Sequence, residues 1–579
     1  VLFSDRPFKK LSLSPTIRRR SSQDWFELSF ELSASDFELI QQLNKSKSSL
    51  FWAGEEAFVL DQADKKFLDF LGPLSQYKHL RPDAQGKITF QKNFSRNRIF
   101  EIFDLKNLGI LIETTPEEEK IYQSLINLKS LPPVTLPRKL EGVLRPYQEI
   151  GVQWLSFLYN HRLGGCLADD MGLGKTIQTI AFLELFKDSY DRALVICPIT
   201  ILSNWQREFE KFSSFSPFIY HGPQRGSKKN HKIVITSYGI LKKELEHFNQ
   251  EKFSIVIFDE VQNLKNIKSQ GAAIARQLQT QFRLCLTGTP LENEVLEFLN
   301  ILDICLPGIW GEDFISKFRQ LPNIRSSLAR PFVLRRTKAA VLTDLPPKQE
   351  QLIQLDFSEV EKTQYLKLFL ETKQRIEMAS PQEKYGETLN GLLRLRQSCL
   401  WQSYKTSFLS TKVDFLVDQL DLIIKEGHNV LIFSQFTTYL DLIEKKLQQR
   451  HWPFLRLDGK TSLKLRNDYV DRFQKGECPI FLISLKAGGV GLNLTRANFI
   501  FIMDPWWNPA VEGQAIDRAH RIGQKNSINV YRLLIKNTVE EKVQRLKELK
   551  GQLFEEVMGD KDNRFNGKIS MEDFRQLLE

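Results

Sequence analysis

The stretch CLADDMGLGKT, Cys166 to Thr176, sets a glycine-bearing turn between a short apolar run and a lysine that opens an amphipathic segment. Read as strand, turn and helix, it directs backbone N–H groups and a helix N-terminus at a phosphate. Asp170, Met171, Gly172, Leu173 and Gly174 would form the cradle, Lys175 would add charge at the outer phosphates, and the Thr176 hydroxyl would reach Mg2+. The full G-x-x-x-x-G-K-[ST] spacing is missed at one position, because Asp169 stands where its first glycine belongs. The pattern therefore needs partners. Downstream, the apolar run IVIF ends in Asp259 and Glu260. Two carboxylates at the C-terminal end of a buried strand would lie beside a phosphate loop of the same parallel sheet. There Asp259 would hold Mg2+ through water, and Glu260 would act as general base on an attacking water.

Other elements fit the same chemistry. Gln148 in LRPYQ precedes the loop, and its amide offers one donor and one acceptor to an adenine edge. TGTP, Thr287 to Pro290, follows RLCL and suits a polar element that senses nucleotide state. Late in the chain come SLKAGGVGLNLT, Ser484 to Thr495, and QAIDRAHRIGQ, Gln514 to Gln524. Arg518 and Arg521 are three apart, which on a helix places both guanidiniums on one face. From there they could reach a terminal phosphate held by another domain and neutralise transition-state charge. Taken singly, these pieces read as a helix cap, a turn and a salt-bridged surface helix; their combination points to the chemistry.

In chain order, DMGLGKT, DEVQ, TGTP, PFVLRRTK, LDGKTS, AGGVGLNLT, DPWWNP and DRAHRIGQ resemble the helicase-like motor of the SWI/SNF family of superfamily 2 ATPases, over roughly 140 to 550. The DWFELS segment is similar to the accessory domain that precedes this motor in bacterial members. The resemblance implies an α/β fold of two RecA-like parallel-sheet lobes with helical insertions, after a smaller sheet-containing α+β domain. It also implies ATP and Mg2+ bound by the first lobe and completed by Arg518 and Arg521 of the second, with Gly491 and Gln514 joining the nucleotide site. An acidic residue at the place of Asp169 is common in the family. Val261 and Lys460 stand where smaller residues are usual, and neither alters the carboxylates.

Duplex DNA is implied to lie across both lobes and to be translocated without routine strand separation. Carried over residue by residue, the DNA-facing positions are Pro198, Asn204 and Trp205, then Thr236, Ser237 and Tyr238, then Ser434, Gln435 and Phe436. Hydroxyls and amides there suit phosphate contacts that position a protein without reading bases. For Trp205, and for Trp506 and Trp507, core packing is at least an equal reading. The expected function is ATP-dependent translocation on double-stranded DNA by a monomeric motor that remodels or displaces bound proteins. One alternative is an ATPase whose main partner is RNA polymerase or another protein. Another is an ATP-gated DNA clamp with little turnover, which the retention of Glu260 and Arg521 disfavours.

These residues need two sheets to position them. From about 140 to 345, the runs RALVICP, HKIVITS, FSIVIFDE and FRLCLTG alternate with helical segments, and NVLIFSQF, FLRLDG, PIFLIS and NFIFIMD repeat the pattern after about 410. Continuous Val/Ile/Leu strands separated by helices imply parallel sheets covered on both faces. The expected division is 1–134 accessory domain, 135–345 first lobe, 346–408 helical insertion, 409–550 second lobe and 551–579 helical tail. Pro132, Pro133 and Pro137 mark the first boundary, and the alternation Phe26, Leu28, Phe30, Leu32 predicts a strand before it. A helical stretch is expected near Glu117 to Leu128.

Composition agrees and excludes little more. The 579 residues, 42% hydrophobic and 26% charged, suit roughly two to four packed domains of about 150 residues. With 81 Lys and Arg against 70 Asp and Glu, the net charge of +11 permits an anionic partner without identifying one. The bases Arg6, Lys9, Lys10, Arg18, Arg19 and Arg20 are read as a solvated tail. The 6 scattered cysteines suit a reducing cytoplasm, with nucleoid association if the source is bacterial. No apolar run has membrane-spanning length and no signal peptide is visible, so no membrane partner is expected. The opening Val1 suggests that a preceding piece is missing. The 8 histidines form no metal-spaced pair, so no zinc is expected. DNRFNGKISMED, 562 to 573, resembles a calcium loop, but Arg564 at a ligand position and Asp573 in place of Glu argue for a plain terminal helix.

Overall fold

The computed structural model describes residues 131–222, 231–264, 266–288, 295–308, 332–342, 344–380, 382–404, 407–488, 492–506 and 509–545, with strands and a few single residues before 131. The N-terminal strands are β1 (Lys9–Leu11), β2 (Thr16–Ser21), β3 (Trp25–Ser33), β4 (Leu50–Ala53), β5 (Glu56–Leu60) and β6 (Lys87–Ser95). They form two three-stranded sheets, in the orders β1-β5-β4 and β2-β3-β6. The alternating segment is strand β3, as its period requires. The basic opening is not a tail over its whole length: Lys9 and Lys10 lie in β1, and Arg18 to Arg20 lie in β2, whose register sets Arg20 opposite Glu27 of β3. Most of the helical stretch expected at 117–128, and all of 551–579 with its calcium-like loop, fall outside the described residues.

The first large sheet contains β7 (Gly165–Leu167), β8 (Ala193–Cys197), β9 (Phe218–Tyr220), β10 (Ile233–Ser237), β11 (Ile255–Asp259), β12 (Phe282–Leu286) and β13 (Val333–Leu334), all parallel in the order β13-β7-β12-β11-β8-β10-β9. Each apolar run read from the sequence is one of these strands. β8, β10, β11 and β12 are buried at every residue, because helices cover both faces and an apolar side chain is stabilised on either. Trp154, Phe182, Trp205, Phe209, Phe258 and Phe282 fill the space between sheet and helices, each with 2% exposure or less.

The second sheet contains β14 (Lys348–Leu355), β17 (Val430–Ser434), β18 (Phe454–Leu457), β19 (Ile480–Ser484), β20 (Phe499–Ile502) and β21 (Ile528–Ile535), again all parallel, in the order β14-β21-β20-β17-β19-β18. Between β14 and β17 lie the helices Glu359–Met378 and Lys384–Ser398 and a hairpin of β15 (Gln402–Tyr404) and β16 (Ser407–Leu409). The stretch 346–408 is therefore not purely a helical insertion, since β14 pairs with β21 along eight residues and closes the edge of the second sheet. Its sequence KQEQLIQL hides this because an edge strand keeps much of its surface in water and carries no continuous apolar run. Among the described residues no helix is long and apolar enough to cross a membrane.

Inside the second lobe Lys412 and Glu540 are both fully buried and paired at 2.8 Å. The Lys412 ammonium also donates to the carbonyls of Met503 (2.7 Å) and Leu533 (3.0 Å), so all three of its protons are used. Removing one partner strands a buried charge, at a cost of ~3–5 kcal/mol. Lys412→Met should lower the free energy of second-lobe unfolding, read from a urea titration, by that amount, and adding Glu540→Leu should recover part of the loss.

Candidate nucleotide site between the two sheets

The phosphate loop leaves the C-terminal end of β7 and enters the helix Lys175–Leu185 at Gly174. Gly172 and Gly174 have φ of +86° and +80°, a region that side-chain-bearing residues rarely adopt. Space forbids a side chain there too. A Cβ on Gly174 would lie 2.4 Å from the Gln148 amide nitrogen, and one on Gly172 would lie 2.7 Å from Arg521 Cβ. The Lys175 ammonium sits over the loop and donates to the carbonyl of Asp169 (2.6 Å) and, more weakly, of Asp170 (3.4 Å). Thr176 is half-buried in the first turn of the helix.

Asp169 explains its own departure from the glycine-first pattern. It is fully buried, and Arg336 binds it with both arms of the guanidinium, Nε donating to Oδ1 at 2.9 Å and Nη2 to Oδ2. The Arg336 backbone N–H donates to Oδ1 as well (3.1 Å), and Gln178 Nε2 donates to Oδ2 (3.2 Å). Around this pair the loop is stitched to the segment after β13. The Ala168 and Asp170 N–H groups donate to the carbonyls of Leu334 and Arg336, and the Lys338 N–H donates to the Asp170 carboxylate at 3.0 Å. Gln148 lies beneath the same loop. Its Nε2 donates to the Leu173 carbonyl (3.0 Å) and its Oε1 accepts from Arg145 (2.9 Å), so both ends of the amide brace protein backbone. Tyr147 donates to the same Leu173 carbonyl at 2.9 Å.

Across the loop, β11 delivers Asp259 and Glu260. Burial and the neighbouring Glu260 charge push the Asp259 carboxyl up to about 7, against the opposing pull of a Trp205 hydrogen bond and of Lys175. Glu260 has φ of +49°, an uncommon backbone for a glutamate and a form of strain that concentrates at functional sites. Its carboxylate accepts from Gln262 Nε2 (2.6 Å), and Gln262 Oε1 accepts from the Thr287 hydroxyl (3.1 Å). The TGTP element is thus wired to Glu260 through Gln262. A Cβ on Gly288 would lie 3.5 Å from the Lys175 ammonium, which puts that element at the loop; Thr289 and Pro290 lie outside the described residues.

The second sheet supplies the missing wall. The helix Pro509–Ile516 ends before either arginine, so Arg518 and Arg521 lie in the turns that follow and not on a helix face. Both nonetheless meet the phosphate loop, Arg518 at Met171 and Arg521 at Gly172. Arg518 is buried, with Nη2 3.9 Å from Met171 Sδ, and Arg521 packs on Gly172. Burial pulls both guanidiniums below their usual range, while the Glu260 charge acts in the opposite direction on Arg518. Lys338 holds the turn in place by donating to Asp517 Oδ1 (2.5 Å) and to the His520 carbonyl. Gln514 is half-buried on the preceding helix, and Gly491 lies outside the described residues.

Sequence reasoning missed Gln178, Gln262, Arg336 and Lys338. The signal for Arg336 was present: a buried acid where glycine is expected demands a cation, and PFVLRRTK offers one. The residues carried over as DNA-facing do not share one environment. Trp205, Thr236, Ser237 and Ser434 have 2% exposure or less. Trp205 donates to Asp259 Oδ2 (2.8 Å), Thr236 to the Tyr220 carbonyl (3.0 Å) and Ser434 to Asp504, while Ser237 caps a helix. Their side chains are spent internally and do not face a polymer. Pro198, Asn204, Tyr238, Gln435 and Phe436 are partly exposed. Trp506 packs against the core of the second lobe, and Trp507 lies outside the described residues.

The geometry can be set beside known proteins. A model of the SNF2-related domain matches residues 147–403, and a model of the helicase conserved C-terminal domain matches 411–523. The chain belongs to the SWI/SNF family of helicase-like ATPases. An uncharacterized ATP-dependent helicase of Mycoplasma pneumoniae is 31% identical over 583 residues, covering 96% of this chain and 55% of that protein. The human SWI/SNF-related matrix-associated actin-dependent regulator of chromatin subfamily A member 1 is 31% identical over 599 residues, covering 94% of this chain and 57% of that protein. The chain thus spans about half the length of these relatives. The Sulfolobus solfataricus SWI2/SNF2 ATPase core in complex with dsDNA is 29% identical, covers 78% of this chain and 99% of its own, and superposes with a TM-score of 0.36.

The donor set fits the nucleotide and cation that this family uses. Two adjacent carboxylates, one of them pushed up to about 7 by burial and its neighbour's charge, would be relieved by a divalent cation, and Lys175, Arg518 and Arg521 converge on the loop from two lobes. The Asp169–Arg336 pair is the structural test of this SWI/SNF loop. Arg336→Leu should cost ~3–5 kcal/mol in a thermal or urea melt of the first lobe by leaving Asp169 unpaired. Adding Asp169→Gly, which supplies the first glycine of the general phosphate-loop pattern and removes the buried charge, should regain most of that stability.

Proposed function

We propose that this chain is the motor of a double-stranded DNA translocase, hydrolysing ATP to move along the duplex and shift proteins bound to it. The observation that carries the reading is the meeting of Arg518 and Arg521, from the second sheet, with the phosphate loop of the first, beside Glu260. ATP with Mg2+ would supply the transferable phosphoryl group and the charge that this cleft is arranged to receive. Thr176 and Asp259 would hold the cation. Lys175 would exchange its loop carbonyls for phosphate oxygens. Glu260, oriented by Gln262, would take a proton from the attacking water, and Arg518 and Arg521 would meet the charge that develops on the far side. Gln148 would serve the nucleotide site by bracing the loop at Leu173.

Because the arginines and the loop belong to different lobes, the site is complete only when the lobes are together. Opening and closing would then follow nucleotide state, with Lys338 setting the spacing through Asp517. A motor so built needs a track that both lobes hold. Pro198, Asn204 and Tyr238 of the first lobe and Gln435 and Phe436 of the second are the partly exposed members of the carried-over set. The net charge of +11 permits a polyanion.

Steady-state ATP hydrolysis with no nucleic acid, single-stranded DNA, double-stranded DNA and RNA, each at two salt concentrations, tests the proposal. Stimulation by duplex DNA that weakens with salt is expected, since phosphate contacts release counterions. Absence of stimulation by any of them would overturn the DNA reading in favour of a protein partner. Glu260→Gln should lower turnover by ~10²–10⁴ while nucleotide binding persists. Arg521→Ala should lose ~10³-fold or more in turnover, with a much smaller change in ATP affinity.

A further inference from the structure

Two aromatic side chains from two different segments grip the same acidic residue. Trp205, fully buried in the helix Leu202–Phe212, donates its indole N–H to Asp259 Oδ2 at 2.8 Å. Tyr238, the first residue of the helix after β10, donates its hydroxyl to the Asp259 carbonyl at 2.7 Å. The remaining carboxylate oxygen, Oδ1, accepts the Glu260 N–H at 2.8 Å. Asp259 is thus fixed at three points, two of them from outside its own strand. A carboxylate with one lone pair committed on each oxygen is held in one orientation with the others still free, which is what a cation ligand requires.

The two donors are not interchangeable with other core residues, because each stands at the end of a segment that reaches the surface. The Leu202–Phe212 helix begins just after Ile199, which is 45% exposed, and its partly exposed Asn204 is the neighbour of Trp205. Tyr238 follows Thr236 and Ser237, whose side chains are locked inside. The Leu202–Phe212 helix also carries Glu208, where the charge of Arg521 opposes the upward push of burial, so this helix bonds the cation holder and feels the charge of the arginine side of the cleft. A rigid helix transmits a displacement of its exposed end to its buried face, and packed interiors do not absorb it continuously.

We infer that Trp205 and Tyr238 are positioning residues that set Asp259 for Mg2+ and couple occupation of the Pro198–Asn204 and Tyr238 surface by duplex DNA to the readiness of the cation site. The inference rests on the reading of Asp259 as the cation holder and of these segments as the duplex face. It replaces a direct DNA contact by Trp205 with an action through Asp259, and it gives a physical route for DNA to raise turnover without touching the nucleotide.

The full chain carrying Trp205→Phe, which keeps a ring in place and removes the N–H, tests this together with Tyr238→Phe, which removes only a hydroxyl. Affinity for Mn2+ in the presence of ADP, read by electron paramagnetic resonance, requires no turnover. Trp205→Phe should weaken it about tenfold, the scale of a lost hydrogen bond to a buried charged group. In ATPase assays both variants should show a raised Mg2+ half-saturation and a reduced ratio of duplex-stimulated to basal turnover. Their affinities for duplex DNA, by fluorescence anisotropy, should stay within about twofold of the parent, as expected when no DNA contact is lost. Unchanged Mn2+ affinity and an unchanged stimulation ratio in a folded Trp205→Phe would overturn the inference. If that variant does not fold, the same null result in Tyr238→Phe overturns it. A weakened duplex affinity with normal Mn2+ binding would instead make Trp205 part of the DNA surface and also overturn it. A parent chain that duplex DNA does not stimulate would sink the translocase reading separately, while Mn2+ affinity would still decide the positioning role.

Discussion

A single buried ion pair organises this molecule. Asp169 has no exposure, and a carboxylate in that position is tolerable only when its charge is paired and its lone pairs are taken up. Arg336 does both, with Gln178 assisting, and the pairing ties the phosphate loop to the chain that leaves β13. Two residues further on, Lys338 uses its backbone to hold Asp170 and its side chain to hold Asp517 and His520 of the second lobe. The loop, the crossing between lobes and the arginine turn are therefore one mechanical unit.

The cleft that this unit frames holds charged groups largely out of water. Burial drives Asp259 up to about 7 and draws Arg518, Arg521 and Lys338 down, each because its charged form is poorly solvated there. Such groups gain most from a polyanion and a cation arriving together, since the environment is already arranged and need not reorganise as charge shifts. Glu260 adds backbone strain to this arrangement, and the hydrogen bonds from Gln262 and Asn263 hold it in its left-handed conformation. In a family whose members hydrolyse ATP, these features assign a task to residues that would otherwise be costly to bury.

Much of this was legible from the chain alone, and the reasons are particular. β8, β10, β11 and β12 are continuous apolar runs because both faces of a parallel sheet are covered, so no polar alternation blurs them. Lys175, Asp259 and Glu260 were found because each lies at the C-terminal end of such a strand or in the loop after it. β14 was not visible, since an edge strand with polar side chains carries no such signal. Arg336 and Lys338 were quoted within a motif without a role, because what they do depends on partners far away in the sequence.

The DNA-facing set shows the limit most clearly. The resemblance carried Thr236, Ser237 and Ser434 to the duplex face and left core packing an equal reading for Trp205, and each of the four is turned inward to satisfy a buried group. Side-chain direction in a loop or helix start is set by the local packing of neighbouring elements, which composition and spacing do not encode. By itself the sequence determined the two sheets, the phosphate loop and the acidic pair, because burial periodicity and loop chemistry are local properties. Only the tertiary structure decided what Asp169 is for, that Arg518 and Arg521 reach the loop from turns, and that Trp205 holds Asp259, because each of these is a contact between segments far apart in the chain, the first and last made as the first lobe folds and the second as the lobes come together.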